Sequence, residues 1–451
     1  MKNKIIFTAF AGLLLASCGV YRKYQPTDEV STALYGNDIV VTDTASLATI
    51  AWRDFFTDPA LQRLIDSALV KNTEYQVAQL RTEQALASLG AARLAYFPSL
   101  NLGADGNITR YDGLTTKTYD IGLNASWEVD IFGKLTAAKR GAAAAAVSAD
   151  EQAQAVRTQL VATVATSYYS LLMLDRQIEI AENTLDNWTQ TIRVMELLKT
   201  AGRANEAGIL QTKANRTGLQ ADIATMKKSR KEIENSLCGL LAIPPRPIAR
   251  NKIEDAAFPN ELSTGLPVQL LANRPDVRAA EMELARTHYA LGVARASFYP
   301  SLTLGGTLGF TNNGGIVVNP GQWLLNAVGQ LMQPIFNRGQ LRAGYKIADA
   351  DREIALLRFN QSLIDAGTEV NNALTDISAA RERLVFVKEQ TELLTDAVAK
   401  TELLMRHSPT NYLEVLTAQQ ALLGAQQSEV QCRYDEIAGI VSLYHALGGG
   451  K

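Results

Sequence analysis

Ala92-Arg93-Leu94-Ala95-Tyr96-Phe97-Pro98-Ser99-Leu100-Asn101-Leu102-Gly103 returns later in the chain as Ala294-Arg295-Ala296-Ser297-Phe298-Tyr299-Pro300-Ser301-Leu302-Thr303-Leu304-Gly305, at an offset of 202 residues. Ile131-Phe132-Gly133-Lys134 is echoed by Ile335-Phe336-Asn337-Arg338, and Asn205 to Leu210 by Asn411 to Leu416, at nearly the same spacing. The chain is therefore two copies of one unit about 200 residues long, and such repetition decides the architecture before any local pattern does. Proline disfavours helix at the residue before it. Pro98 and Pro300 thus mark, once per copy, the junction where helical sequence gives way to alternating sequence.

Beyond that junction the pattern has period two. From Thr118, the residues Tyr119, Ile121, Leu123, Ala125, Trp127 and Val129 fall on one face, and Asp120, Gly122, Asn124, Ser126, Glu128 and Asp130 on the other. Sustained alternation of this kind is the signature of a β-strand. Its partner runs from Ser99 to about Tyr111 through Asp112-Gly113, which is turn chemistry. In the second copy Leu302, Leu304, Leu308 and Phe310 oppose Thr303, Thr307 and Thr311, and a loop begins at Asn312-Asn313-Gly314-Gly315. The fourth strand, about Trp323 to Phe336, alternates poorly. The expected strand regions are about 99–131 and 300–336, one hairpin per copy. Strands of this length suit a tilted transmembrane β-strand. Two hairpins are too few for a soluble sandwich. Tyr96, Phe97, Trp127, Phe298, Tyr299 and Trp323 lie near strand ends, as interfacial girdles do.

Helix flanks both hairpins. It starts at Asp58-Pro59, an N-cap followed by proline at the first helical position, and is expected to run to about Ala95. Long helices follow over about 135–241 and 339–447. Leu135 to about Thr200 and Gly339 to about His407 contain no proline; about 65 residues would reach roughly 100 Å at 1.5 Å per residue. The second stretch carries a heptad: Leu363, Val370, Ile377 and Leu384, with Ala366, Ala373, Ala380 and Val387 three residues later. That spacing specifies a left-handed coiled coil, and alanine lets helices approach closely. Val156, Leu160, Val164 and Leu171 form a less regular stripe in the first. Gly202-Arg203-Ala204-Asn205 and His407-Ser408-Pro409-Thr410-Asn411 break the two long helices, and a returning helix follows each. The two copies span 58–250 and 251–451. Arg274-Pro275-Asp276 reads as a helix start with no chemical role.

The 44 basic and 46 acidic residues nearly balance, so a nucleic-acid partner is not indicated. Lys2 and Lys4 precede the apolar run Ile5 to Ala16, and Leu15-Ala16-Ser17-Cys18 closes it. Residues 1–17 read as a bacterial lipoprotein signal, Cys18 as the lipid anchor and 18–57 as an extended arm; an ordinary signal with a chance cysteine is the alternative. Several acyl chains give durable anchoring where one is marginal. No other stretch is apolar enough for a transmembrane helix, so any span must be a closed β-barrel. Cys238 and Cys432 read as buried thiols, with a disulfide between them, which the compartment permits, as the alternative. No His-Glu-x-x-His, Gly-x-Ser-x-Gly or phosphate loop occurs, and the three histidines are isolated. Neither an enzyme nor a cofactor is expected. A structural coiled-coil lipoprotein would explain heptads and anchor, but not a two-faced hairpin at the same place in each copy.

Four strands cannot close a barrel, and open edges in lipid are forbidden. Two chains would give eight strands with a filled interior; three would give twelve around water. Here the chain resembles the TolC-type outer-membrane efflux family in its lipoprotein (OprM/NodT-like) branch. The resemblance rests on Cys18, Ser126-Trp127-Glu128-Val129-Asp130-Ile131-Phe132-Gly133, Arg274-Pro275-Asp276-Val277 with Glu281, Phe298-Tyr299-Pro300-Ser301, Asn411-Tyr412-Leu413 and Leu443-Tyr444 with Ala446-Leu447-Gly448-Gly449-Gly450. It implies an α+β membrane protein: a homotrimeric 12-stranded barrel on an α-helical periplasmic tunnel. It further implies a passive exit duct in the outer-membrane lipid, docked to a periplasmic adaptor and an inner-membrane pump of RND type. The family gates its tunnel at the helix tips, here Gly202, Arg203, Asn205 and Glu206, with Arg406, His407, Ser408, Thr410 and Asn411. Relatives often place glycine and an acidic residue where Ser408-Pro409-Thr410 stands, so an acidic ring there is not expected. Asp120, Asn124, Glu128 and Asp130 are expected to line an acidic lumen.

Overall fold

Period-two and period-3.6 sequence sort into strands and helices largely where expected. A computed structural model describes residues 22–26, 34, 47–202, 205–258, 264, 270–311, 322–407 and 412–450. The expected leader and Cys18 lie outside the described residues. The elements are α1 (Trp52–Phe55), α2 (Pro59–Lys71), α3 (Thr73–Leu94), β1 (Ser99–Tyr111), β2 (Leu114–Val129), α4 (Lys134–Thr200), α5 (Glu206–Leu240), α6 (Leu270–Asn273), α7 (Pro275–Ala296), β3 (Ser301–Thr311), β4 (Gln322–Met332), α8 (Gln340–His407) and α9 (Tyr412–Ala446). They form two compact units, and each unit draws on both sequence copies.

The first unit comprises Met1–Asp28, Gln79–Gln152 and Asp276–Ser362. It contains one antiparallel sheet in the order β1-β2-β3-β4. Asp112 and Gly113 take φ of +44° and +80° between β1 and β2. Positive φ at both central residues is the geometry of the two-residue hairpin turn, matched to strand twist. β4 ends at Met332, four residues short of the expected Phe336. Pro334 follows and has no N–H to give a ladder. Beside the sheet, Ala144, Ala285 and Tyr289 form a small core against Tyr24.

The second unit comprises Glu29–Ala78, Ala153–Pro275 and Leu363–Lys451. Over residues 153–181 α4 is covered almost all round: Leu171, Leu172, Met173 and Leu174 are consecutive buried residues. A helix buried on every side belongs to an interior, which is why its stripe reads less regularly. Along α8 only one face is covered; Ala366, Val370, Ala373, Ile377 and Ala380 are buried, as the heptad requires. Gly439 of α9 lies so close that a Cβ there would meet Ile377 Cγ1 at 2.7 Å.

Two expectations fail in this unit for long-range reasons. The helix expected from Pro59 to Ala95 breaks at Asn72. The Asn72 Oδ1 accepts from the Tyr75 N–H (3.0 Å) and its Nδ2 donates to the Leu240 carbonyl (3.0 Å), so a distant residue fixes the break. The end of the expected extended arm is folded. Leu47–Thr49 makes a 3-10 turn and α1 follows, because Phe55 and Phe56 bury completely. The Phe55 ring stacks on Tyr444 at 4.0 Å, and the Tyr444 hydroxyl donates to the Ile50 carbonyl (2.7 Å). Gly448 and Gly449 thread beside Asn273 and the Tyr444 ring, where any Cβ would collide. Cys238 and Cys432 are buried free thiols.

Candidate functional site: a two-faced wall and the helix tips

Residues opposite one another in an antiparallel ladder present side chains to the same face. Leu100 lies opposite Ala125, Leu102 opposite Leu123, Leu123 opposite Leu308, Ile121 opposite Phe310, and Leu308 opposite Leu325. One face of the sheet is therefore apolar across all four strands. It is also open, with Leu102 79% and Leu325 81% exposed. An apolar patch of that extent on a single chain marks a surface made for lipid or protein.

The opposite face is polar. Asp105 stands opposite Asp120, Asn101 opposite Asn124, and Glu128 opposite Thr303. The Thr307 hydroxyl donates to Asn124 Oδ1 at 2.7 Å, crossing from the second copy to the first. Asp120, Asn124 and Glu128 thus share this face of β2. Glu128 also pairs with Lys134 Nζ at 2.9 Å. Asp130 lies past the end of β2 and is used otherwise. Its carboxylate accepts from the Leu135 and Thr136 N–H groups, both at 2.9 Å, and from the Thr136 hydroxyl at 2.6 Å, holding the first turn of α4. On β4 the polar face carries Leu324, Val328 and Met332, alternating with Asn326 and Gln330. That mixture is why β4 alternates poorly.

The proline junctions are tied by side chains. Trp127 Nε1 donates to the Tyr96 carbonyl (2.9 Å), and the Tyr96 and Thr136 hydroxyls are 2.8 Å apart. Phe132 stacks on Tyr299 at 4.9 Å, and Gln333 Nε2 donates to the Phe298 carbonyl (3.0 Å). Each contact joins the strand ends to a helix end, so Pro98 and Pro300 sit in braced turns.

At the α4–α5 tip, Gly202 turns the chain with φ of +72°. Asn205 is the N-cap of α5, its Oδ1 accepting from the Gly208 N–H at 3.0 Å. Glu206 pairs with Lys199 on α4. That hydrogen bond and charge hold the exposed Glu206 carboxyl below its ordinary range. Lys199 was not expected as a tip residue, although it stands seven positions before Glu206 across a turn. Arg203, Ser408, Thr410 and Asn411 lie outside the described residues. Arg406 and His407 belong to the last turn of α8, and their side chains lie outside them too.

Two ion networks, each centred on a largely buried arginine, escaped sequence reasoning. Arg250, from the segment after α5, binds Asp175 of α4 and Glu234 of α5 (2.7 Å). Burial raises the Glu234 carboxyl, but the Arg250 hydrogen bond and charge outweigh it and hold the pKa below 4.5. Arg274, expected only to start a helix, is itself buried. It donates to Glu369 (2.5 Å) and to the Ala446 carbonyl (3.1 Å), while Pro275 opens α7. Among the described residues no group of three or more His, Cys, Asp or Glu could hold a metal, and no helix is long and apolar enough to cross a membrane.

The sequence model of the outer membrane efflux protein family matches residues 64–242 and 266–449. The cation efflux system protein CusC of Escherichia coli O6:H1 is 30% identical over 404 residues, 88% of each chain. The solvent efflux pump outer membrane protein SrpC of Pseudomonas putida is 29% identical over 466 residues, covering 98% of this chain and 97% of its own. The open-state crystal structure of the MtrE outer membrane channel of Neisseria gonorrhoeae superposes with a TM-score of 0.86 at 26% identity, over 95% of this chain and 98% of that one. With its repeats, two-faced sheet and long helices matched along nearly their whole length, the chain belongs to the outer membrane efflux protein family and serves as an outer-membrane exit component of an efflux system.

Proposed function

We propose that three copies close one 12-stranded barrel and that the assembly is a passive exit duct for small molecules. The observation that carries this reading is the sheet itself: four strands, an outward apolar face, and β1 and β4 as outer strands. In hydrocarbon such edges must be paired, and closure by symmetry-related copies does so. Asp120, Asn124 and Glu128 then face the water-filled interior, and Cys18 carries the acyl anchor. The tips around Arg203, Asn205, Glu206, Arg406, His407, Ser408, Thr410 and Asn411 form the periplasmic gate. A periplasmic adaptor and an RND-type inner-membrane pump deliver the cargo, and selection among cargoes lies mainly at the pump. The test uses the full-length protein expressed with its own leader. The expected results are outer-membrane fractionation, a trimeric mass in detergent and stepwise conductance in planar bilayers. A monomer, or a trimer without conductance, would overturn the reading.

A further inference from the structure

Where β4 hands over to α8, the chain places apolar and then basic residues on its surface. Ile335 is 96% exposed and Phe336 86% exposed. Arg338 follows at φ +45°, an unfavourable conformation for a side chain with a Cβ. Arg342 and Lys346 come next, one turn apart on the same face of α8. Arg338, Arg342 and Lys346 are all exposed, and none is ion-paired to an acidic residue among those described. No acidic residue stands anywhere from Leu284 through Ala348. Asp349, the first to follow, is engaged with Arg352 at 3.8 Å.

This arrangement costs stability in isolation. Cations at the start of a helix oppose its dipole, and three without counter-charge repel one another. An anion of the surroundings would remove both costs. The corresponding loop of the first copy needs none: Phe132 is stacked on Tyr299 and Lys134 is neutralised by Glu128. Only the second copy leaves its apolar pair and its cations outward. The pair follows Leu331, the last residue on the apolar face of β4, by four and five positions, so the order along the chain is hydrocarbon face, apolar wedge, cations. That is the order of a membrane from core to headgroup.

We propose that Arg338, Arg342 and Lys346, with Ile335 and Phe336 as the wedge, bind the phosphate headgroups of anionic phospholipids at the barrel rim. The proposal rests on the sheet being the membrane-spanning wall. Its test uses the full-length channel reconstituted in phosphatidylcholine vesicles with and without phosphatidylglycerol. Lipid retained on the protein is counted by native mass spectrometry, and conductance is recorded on the same samples. Wild type should retain phosphatidylglycerol in preference to phosphatidylcholine. The combined R338Q, R342Q and K346Q variant should lose at least about tenfold of that preference while still conducting. Arg342→Gln alone should lose part of it, and Lys139→Gln in the first copy almost none. Inorganic phosphate should not displace the lipid. A conducting wild type without lipid preference, a triple variant that keeps it, displacement by free phosphate, or a triple variant that falls to monomers would overturn the inference. A wild type that does not conduct would instead fail the duct itself.

Discussion

The two hairpins share geometry and differ in charge. β1 and β2, with their turn, carry Asp105, Asp112, Asp120 and Glu128, whereas β3 and β4 carry no acidic residue. Both keep an apolar face in one continuous register. Duplication has therefore held constant what the membrane demands and let the other face diverge. The same holds among the helices. Over residues 153–181 α4 is covered nearly all round, and α8 only along one stripe. Each returning helix also holds one buried glutamate, Glu234 or Glu436, but with different partners: Arg250 and the more distant Lys231 in the first copy, Arg381 and Arg433 in the second.

The sharpest break of that comparison is at those glutamates. Arg250→Met leaves Glu234 only Lys231 at 3.4 Å and Asp175 only Arg230 at 3.3 Å, and should cost about 3 kcal/mol, the low end of the range for losing one member of a buried pair. Arg381→Met should cost less, since Arg433 remains on Glu436 at 2.7 Å, closer than Lys231 stands to Glu234. Urea unfolding of the two variants measures the difference, and equal losses would erase the asymmetry. Next in size is the shared apolar face. Leu325→Lys should destabilise by about 2–4 kcal/mol in vesicles, whereas Asn326→Lys, on the opposite face, should be close to neutral. Acid should then act on both copies alike. Glu234 and Glu436 have carboxyl pKa values held below the ordinary 4.5, in each case because arginine contacts outweigh burial. Their contribution is full above the unfolded value and is lost as pH falls through the folded one, so unfolding scans should fall off below about pH 4.5. The smallest effect concerns permeation. D120N with E128Q should reduce cation over anion preference in bilayer recordings while moving stability by no more than about 1 kcal/mol, the range of the partly exposed Glu128–Lys134 pair it removes.

Local physics was legible and long-range physics was not. The hairpin turn at Asp112-Gly113, the β2 alternation and the Ala366-Ala373-Ala380 stripe could be read directly, because turn chemistry and periodicity are properties of neighbouring residues. β4 could not be bounded, because Leu324, Val328 and Met332 blur its polar face. The break at Asn72 depends on a carbonyl 168 positions away, and nothing near Arg250 announces its partners. Among the candidate site residues, Asp120, Asn124 and Glu128 share a face as their spacing requires. Asp130 has the same parity but belongs to a helix start. Parity says which side a residue faces only while the strand lasts.

The stack of Phe55 on Tyr444 sets an order of events in time. Domains fold as units, from the N-terminal end first where the chain allows it. The second unit cannot do so, because its aromatic centre needs residues near 50 and near 444 together. The sheet of the first unit is complete once Met332 has been delivered. All four strands are therefore delivered before the helical unit receives its last element, α9, so that unit is the last to gain its aromatic centre.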